Sequence, residues 1–240
     1  MFPLFLHPTF LLMIPAFILI MYAQSKVKST FKKYSSVRSS SGMTGAEVAR
    51  RMLRDNGIDD VPVERTEGNL TDHYDPKERV LRLSENVYGS DSLSALGVAA
   101  HEAGHAVQDA RGYTPMKLRQ GMVPVATVGN NLGFIIFFVG LLFVMFSGPS
   151  ATGMLIAKSG IALFAAGTVF TLLTLPVEFN ASSRALDALG RSGFVNDEEK
   201  GQTKEVLNAA ALTYVAAAFA AVMMLLRLIL LLVMVSGGRE

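Results

Sequence analysis

The stretch Val98 to Gln108 carries His101, Glu102, Ala103, Gly104 and His105. On a helix, residues four apart share a face, so His101 and His105 can offer two ring nitrogens to one metal ion while Glu102 reaches a water beside it. A catalytic zinc site needs three protein ligands and an open position, so a third ligand must come from elsewhere in the chain. The 240 residues contain no cysteine and 4 histidines, which leaves histidine and carboxylate to hold any zinc. Gly104, with Ala99, Ala100, Ala103 and Ala106 around it, suits a buried helix that another backbone approaches closely.

The elements that must position this motif are largely apolar. Half of the residues are hydrophobic, 18% are charged and the mean hydropathy is +0.37, which is the balance of a membrane protein. The net charge of +2 gives no support to nucleic-acid binding; the placement of Lys and Arg matters more, because they collect on cytoplasmic flanks. Leu4 to Ala23 is an apolar run long enough to cross a bilayer, broken by His7, Pro8 and Pro15. Positive charge follows this run, at Lys26, Lys28, Lys32, Lys33 and Arg38, and does not precede it, as in a signal anchor with its N-terminus outside. His7 reads as an interfacial residue. Residues 1–23 are thus the expected anchor and 24–122 a cytoplasmic domain.

In that domain Ser35 to Ser41 reads as a polar linker. Thr44 and Glu47 form a capping box that opens a helix ending near Gly57. Val61 to Arg65 and Arg79 to Leu83 read as strands, and Ser90 or Asp91 as the cap of the motif helix. If the second strand is an exposed edge, a peptide could add to it. His73, between the strands, reads as a turn residue.

Residues 123–175 form a transmembrane hairpin: a span from Val123 to Phe146 with Gly129 and Gly133 as a small-xxx-small packing pair, a turn at Ser147 to Ala151, and a returning span in which Gly153, Gly160 and Gly167 make a packing stripe. Pro176 suits the start of a helix closed by Gly190, so 176–205 is a second cytoplasmic segment ending in a charged loop from Phe194 to Lys204. Two crossings return Glu178 to the side of the motif, as a third ligand requires; its other reading is an interfacial carboxylate at a helix N-terminus. Residues 206–240 supply a fourth span, carrying Tyr214 near its inner end and Arg227 well inside, and a short outer tail.

Together VAAHEAGHAVQD (Val98 to Asp109), LPVEFNASSRAL (Leu175 to Leu186) and VLNAAALTYVAAAFAAVMMLLRL (Val206 to Leu228) resemble the YugP-type bacterial membrane zinc metallopeptidases over nearly the whole chain. More distantly the chain is similar to HtpX-type and CAAX prenyl proteases, in which HExxH is followed by a Glu ligand in an E-F-x-A-D pattern. The resemblance implies that His101, His105 and Glu178 bind zinc and that Glu102 is the general base. The Asp of the distant pattern falls on Ser182, so Ser182, Asn180 and Asp187 are the alternatives for the group that orients a ligand histidine.

The expected architecture is a mainly α-helical membrane protein, with four transmembrane helices and a small cytoplasmic α+β, zincin-like metalloprotease domain. The expected activity is zinc-dependent endopeptidase hydrolysis through a zinc-activated water, with Arg184, His73 or Tyr214 as oxyanion helper. The partners are a polypeptide substrate, with membrane proteins included, and the bilayer. The place is a bacterial inner membrane with the site facing the cytoplasm. Two other readings remain open: a site-2-type intramembrane protease, echoed by Leu186, Asp187 and Gly190, and a non-catalytic zinc-binding scaffold, against which an intact Glu102 argues.

Overall fold

The computed structural model describes residues 8–148 and 150–237, so His7 lies outside them. A 3-10 turn, Pro8–Met13, leads into α1 (Ile14–Tyr34). Then come α2 (Gly45–Asp55), β1 (Val63–Thr66), β2 (His73–Asp75), β3 (Val80–Ser84), α3 (Glu85–Tyr88) and α4 (Leu93–Ala110). Three long helices complete the chain: α5 (Thr114–Ser147), α6 (Ala151–Arg191) and α7 (Asp197–Gly237). Among the described residues three helical stretches, Pro8–Tyr34, Ala151–Arg191 and Asp197–Ser236, are long and apolar enough to cross a membrane. A fourth joins them if the two halves of α5, bent by 41°, count as one span.

The chain divides into two compact units. One, with Leu118–Leu175, the start of the chain and the part from Tyr214 onward, packs α5 and α6 through glycine. A Cβ on Gly133 would lie 2.7 Å from the Phe164 nitrogen, and one on Gly160 2.3 Å from that of Phe137. Side chains at these positions would push the helices apart, so the small-residue reading of this hairpin holds for Gly133 and Gly160. Phe137, Leu141, Leu228 and Leu231 fill its core.

The other unit, Ala23–Lys117 with Pro176–Thr213, has a sheet in the order β1-β3-β2, β1 parallel and β2 antiparallel to β3. Its core gathers Leu53, Leu81, Leu83, Leu96, Val177 and Leu189. The capping box at Thr44 is present: its hydroxyl accepts from the Glu47 N–H, and the Glu47 carboxylate accepts from the Thr44 N–H at 2.8 Å.

Several expectations are corrected here. Among the described residues there are three strands, and the second expected one, now β3, is central, paired on one edge with β1 and on the other with β2; its Leu81 and Leu83 are buried and Arg82 between them is half-buried. The edge beside α4 is β2, and His73 is its first residue rather than a turn. The cap of α4 is Ser92, whose hydroxyl accepts from the Ala95 N–H, because α3 takes up the chain as far as Tyr88.

The serine stretch is no loose linker. Ser39 is buried and its N–H donates to the Asp91 carbonyl, Val37 accepts from the Leu93 N–H, and Ser40 donates twice to Glu199. Pro176 lies inside α6 and does not start a helix. Proline forfeits one helical hydrogen bond, but Val177, Ala181 and Ala185, each fully buried and four apart, carry the helix onward. The charged segment from Asp197 belongs to α7, not to a loop. Asn196 and Glu199 cap it reciprocally, each backbone N–H donating to the other's side chain.

Candidate metal centre

Most of α4 is buried, and its second half lies against α6. The contact point is Gly104: a Cβ there would meet the Ala181 carbonyl oxygen at 2.9 Å, so only glycine admits the α6 backbone at this distance. One turn of α4 separates His101 from His105, whose rings meet edge to face at 4.8 Å. Three residues before Ala181, Glu178 points into the same place. Its Oε2 lies 3.2 Å from the His101 Nε2 and 3.5 Å from the His105 Nε2, and Glu178 is only 2% exposed.

The residues fit zinc. Their ligand atoms lie within 4.8 Å of one another, and a tetrahedral ion with bonds of about 2.0–2.1 Å sets its ligands roughly 3.3–3.4 Å apart, a spacing that falls between the two measured separations. The donor set of two imidazoles and one carboxylate is that of zinc hydrolases. Each ring also has a partner on its far nitrogen: His101 Nδ1 meets the Ser182 hydroxyl at 3.1 Å and His105 Nδ1 the Gln108 Oε1 at 3.0 Å.

Glu102 is half-buried beside this group, and its Oε2 accepts from the Tyr74 backbone N–H of β2 at 3.2 Å. Burial pushes its carboxyl up from the usual range, against the pull of the His105 and His101 charges. For His105, burial disfavours the cation, but the hydrogen bond to Glu178 and the nearby carboxylates prevail and raise its pKa. β2 is fastened to α4 a second time by the Tyr74 hydroxyl, which donates to Asp109 at 2.8 Å. Asp72, raised by burial, accepts from the backbone and hydroxyl of Ser84 and ties the approach to β2 to the end of β3.

The fold therefore brings His101, His105, Glu178, Glu102 and Ser182 together. Asn180 does not touch a ligand ring; it accepts from Gln108 Nε2 at 3.0 Å and from Arg184 Nε at 2.8 Å. That bond commits the Nε of Arg184 to Asn180. His73 is exposed, with Nδ1 on the Thr71 carbonyl at 2.7 Å. Asp187 is exposed, its backbone carbonyl accepting from Arg191, and Tyr214 falls in α7 within the apolar unit. Sequence reasoning missed Gln108 and Tyr74. A signal existed for Gln108, a polar residue three after His105 in an otherwise apolar helix; none existed for the backbone N–H of Tyr74.

A family model described as "Putative neutral zinc metallopeptidase" matches residues 9–233. The curated protein "Putative membrane protease YugP" of Bacillus subtilis (strain 168) is 50% identical over 207 residues, which cover 86% of this chain and 88% of that one. No solved structure matches. With a family match over nearly its whole length and two histidines and one glutamate gathered where they could hold a metal ion, the chain belongs to the neutral zinc metallopeptidase family that this description names.

Proposed function

We propose that the chain is a membrane-bound endopeptidase that hydrolyses peptide bonds at a zinc centre held by His101, His105 and Glu178. The observation that carries this reading is the cluster of three potential ligands, His105 and Glu178 buried and His101 half-buried, with a further carboxylate, Glu102, one residue beyond His101 along α4. Zinc bound there supplies Lewis acidity, lowering the pKa of a water toward about 7 and polarising a carbonyl. Glu102 takes the proton and hands it to the leaving amine. One of its oxygens is fixed by the Tyr74 N–H, and the other is the acceptor. β2 is the outer strand of its sheet and reaches the base, which supports an extended substrate segment lying along it.

The test is Glu102→Gln, which keeps the shape of the side chain but cannot accept the proton. The variant retains zinc and loses about a hundredfold or more of its turnover on an unstructured protein substrate. Wild-type turnover removes Glu102 from the mechanism.

The relative bears the word "membrane", and the apolar helices support four spans with the site on the cytoplasmic side of a bacterial inner membrane. Lys26 to Lys33, Arg111 to Arg119 and Arg184 to Lys204 hold the inner flanks, and Ser147 to Ala151 lies outside. In this cysteine-free chain, single cysteines at Ser150, Ser36 and Ser192, none of them buried, report sidedness with an impermeant thiol reagent on intact cells. Ser150 labels and the other two do not. Labelling at Ser36 and Ser192 reverses the orientation; labelling at one alone refutes the span count.

A further inference from the structure

We infer that Gln108 is a positioning residue that fixes the tautomer of His105, locked in turn by Val177, Asn180 and Arg184. The inference rests on the zinc reading above. An amide side chain can be reversed, and reversed it would present a donor to His105 Nδ1, so its orientation decides which ring nitrogen carries the proton.

Here the orientation is forced from outside. Gln108 is fully buried. Its Nε2 lies 2.8 Å from the Val177 backbone carbonyl, which can only accept, and 3.0 Å from the Asn180 Oδ1. Asn180 is itself oriented by Arg184, whose Nε can only donate and lies 2.8 Å from that same Oδ1. Reversing Gln108 would set its oxygen against the Val177 and Asn180 oxygens, leaving two buried lone-pair clashes and no donor. Its Oε1 must therefore accept from His105 Nδ1, at 3.0 Å. With the proton held on Nδ1, the Nε2 lone pair faces Glu178 and the metal position.

His101 lacks such a lock. Its Nδ1 meets the Ser182 hydroxyl, which donates or accepts with equal ease. The defined orienting group therefore serves His105 and comes from α4 itself.

The full-length protein in detergent is titrated with zinc ion alone against a chelator, and the melting of the metal-free form is recorded beside it. Gln108→Met preserves length but offers no acceptor, and weakens zinc binding by about 10–100-fold. Gln108→Glu restores the acceptor to His105 and recovers most of that affinity. It loses the donor to Val177, so its metal-free form melts below wild type, as that of Gln108→Met does. A purely structural residue would lower melting in both variants without this split in affinity.

Wild-type affinity in Gln108→Met, or equal losses in the two variants, overturns the inference. If Gln108→Met does not fold, Arg184→Met decides. Arg184 is half-buried and lines a cavity of about 260 Å³, so the variant folds, its metal-free form melting only a little below wild type, while zinc affinity falls several-fold; unchanged affinity there overturns the lock. A wild-type protein that binds no zinc would instead sink the metallopeptidase reading itself.

Discussion

Both units bring helix backbones together through glycine, yet they ask different things of the contact. In the apolar unit, Gly133 and Gly160 set the spacing of α5 and α6, and the faces turned away from the core carry large apolar side chains, such as Leu155 at 66% exposure. In the sheet-bearing unit, Gly104 sets the spacing of α4 and α6. There the approach also fixes a chemical distance, because Ala181 lies less than one turn beyond Glu178 on the same helix. That contact is surrounded by polar groups that are each satisfied by a partner: the buried Glu178 and Gln108, and the half-buried Ser182 and Asn180. A shift of a few tenths of an ångström costs packing in one unit and ligand geometry in the other.

The largest effect should come from removing Glu178, the carboxylate that meets both histidines and is proposed as the third ligand. Glu178→Ala leaves a zinc ion with two nitrogen ligands, and both metal and proteolysis are lost; metal analysis of the purified protein decides it. One zinc per chain at wild-type affinity would mean that α6 contributes no ligand. The comparison of glycines is tested directly by Gly104→Ala and Gly160→Ala. Each added methyl meets backbone and each should destabilise by about 1–3 kcal/mol, the usual range for overpacking. Only Gly104→Ala also weakens zinc binding, since α4 must move away from Ala181 and so from Glu178. Equal zinc affinity in the two variants would show that the site tolerates the displacement and that the distinction drawn here is false.

How much of this was legible depended on whether the determining contact was local. His101 and His105 are one helical turn apart, so their convergence follows from spacing, and Glu178 could be found because its stretch carries a recognisable pattern. Gln108 was not found, because its meaning depends on Val177 and Asn180, some seventy positions away. Strand β2 was invisible for a different reason. His73, Tyr74 and Asp75 show no apolar alternation, and the strand exists because β3 and α4 supply its partners. At Pro176 the local rule was applied correctly and lost to tertiary burial of Val177, Ala181 and Ala185. The cap of α7 was legible and overlooked: Asn196 and Glu199 have the same spacing as Thr44 and Glu47, but the surrounding charges read as a loop.

The smallest effect sharpens the comparison from the other side, by loosening the sheet-bearing unit without touching ligand geometry. Thr44 caps α2, and the Gly45 that follows it packs against Ala95 and Ala99 of α4, ahead of the histidines. Thr44→Ala removes the side-chain acceptor of the Glu47 N–H and should cost about 1 kcal/mol, lowering the melting temperature by about 2–4 °C for a chain of this size. Zinc affinity and turnover should stay at wild type, because the distances from Glu178 to the two rings depend on α4 and α6 alone. The partner half of the box has a pH signature. The Thr44 backbone N–H, then its hydroxyl, hold the Glu47 carboxyl below its ordinary value of 4.5. A depressed acid stabilises the fold above its unfolded pKa, and that contribution is lost as pH falls through the folded value. The melting temperatures of wild type and Glu47→Gln should therefore differ at pH 7 and converge below about pH 4, near the reference carboxyl range. A difference that persists unchanged in acid would mean that the Glu47 charge plays no part in the cap. A loss of zinc in Thr44→Ala would mean that the packing of α2 reaches the metal centre after all.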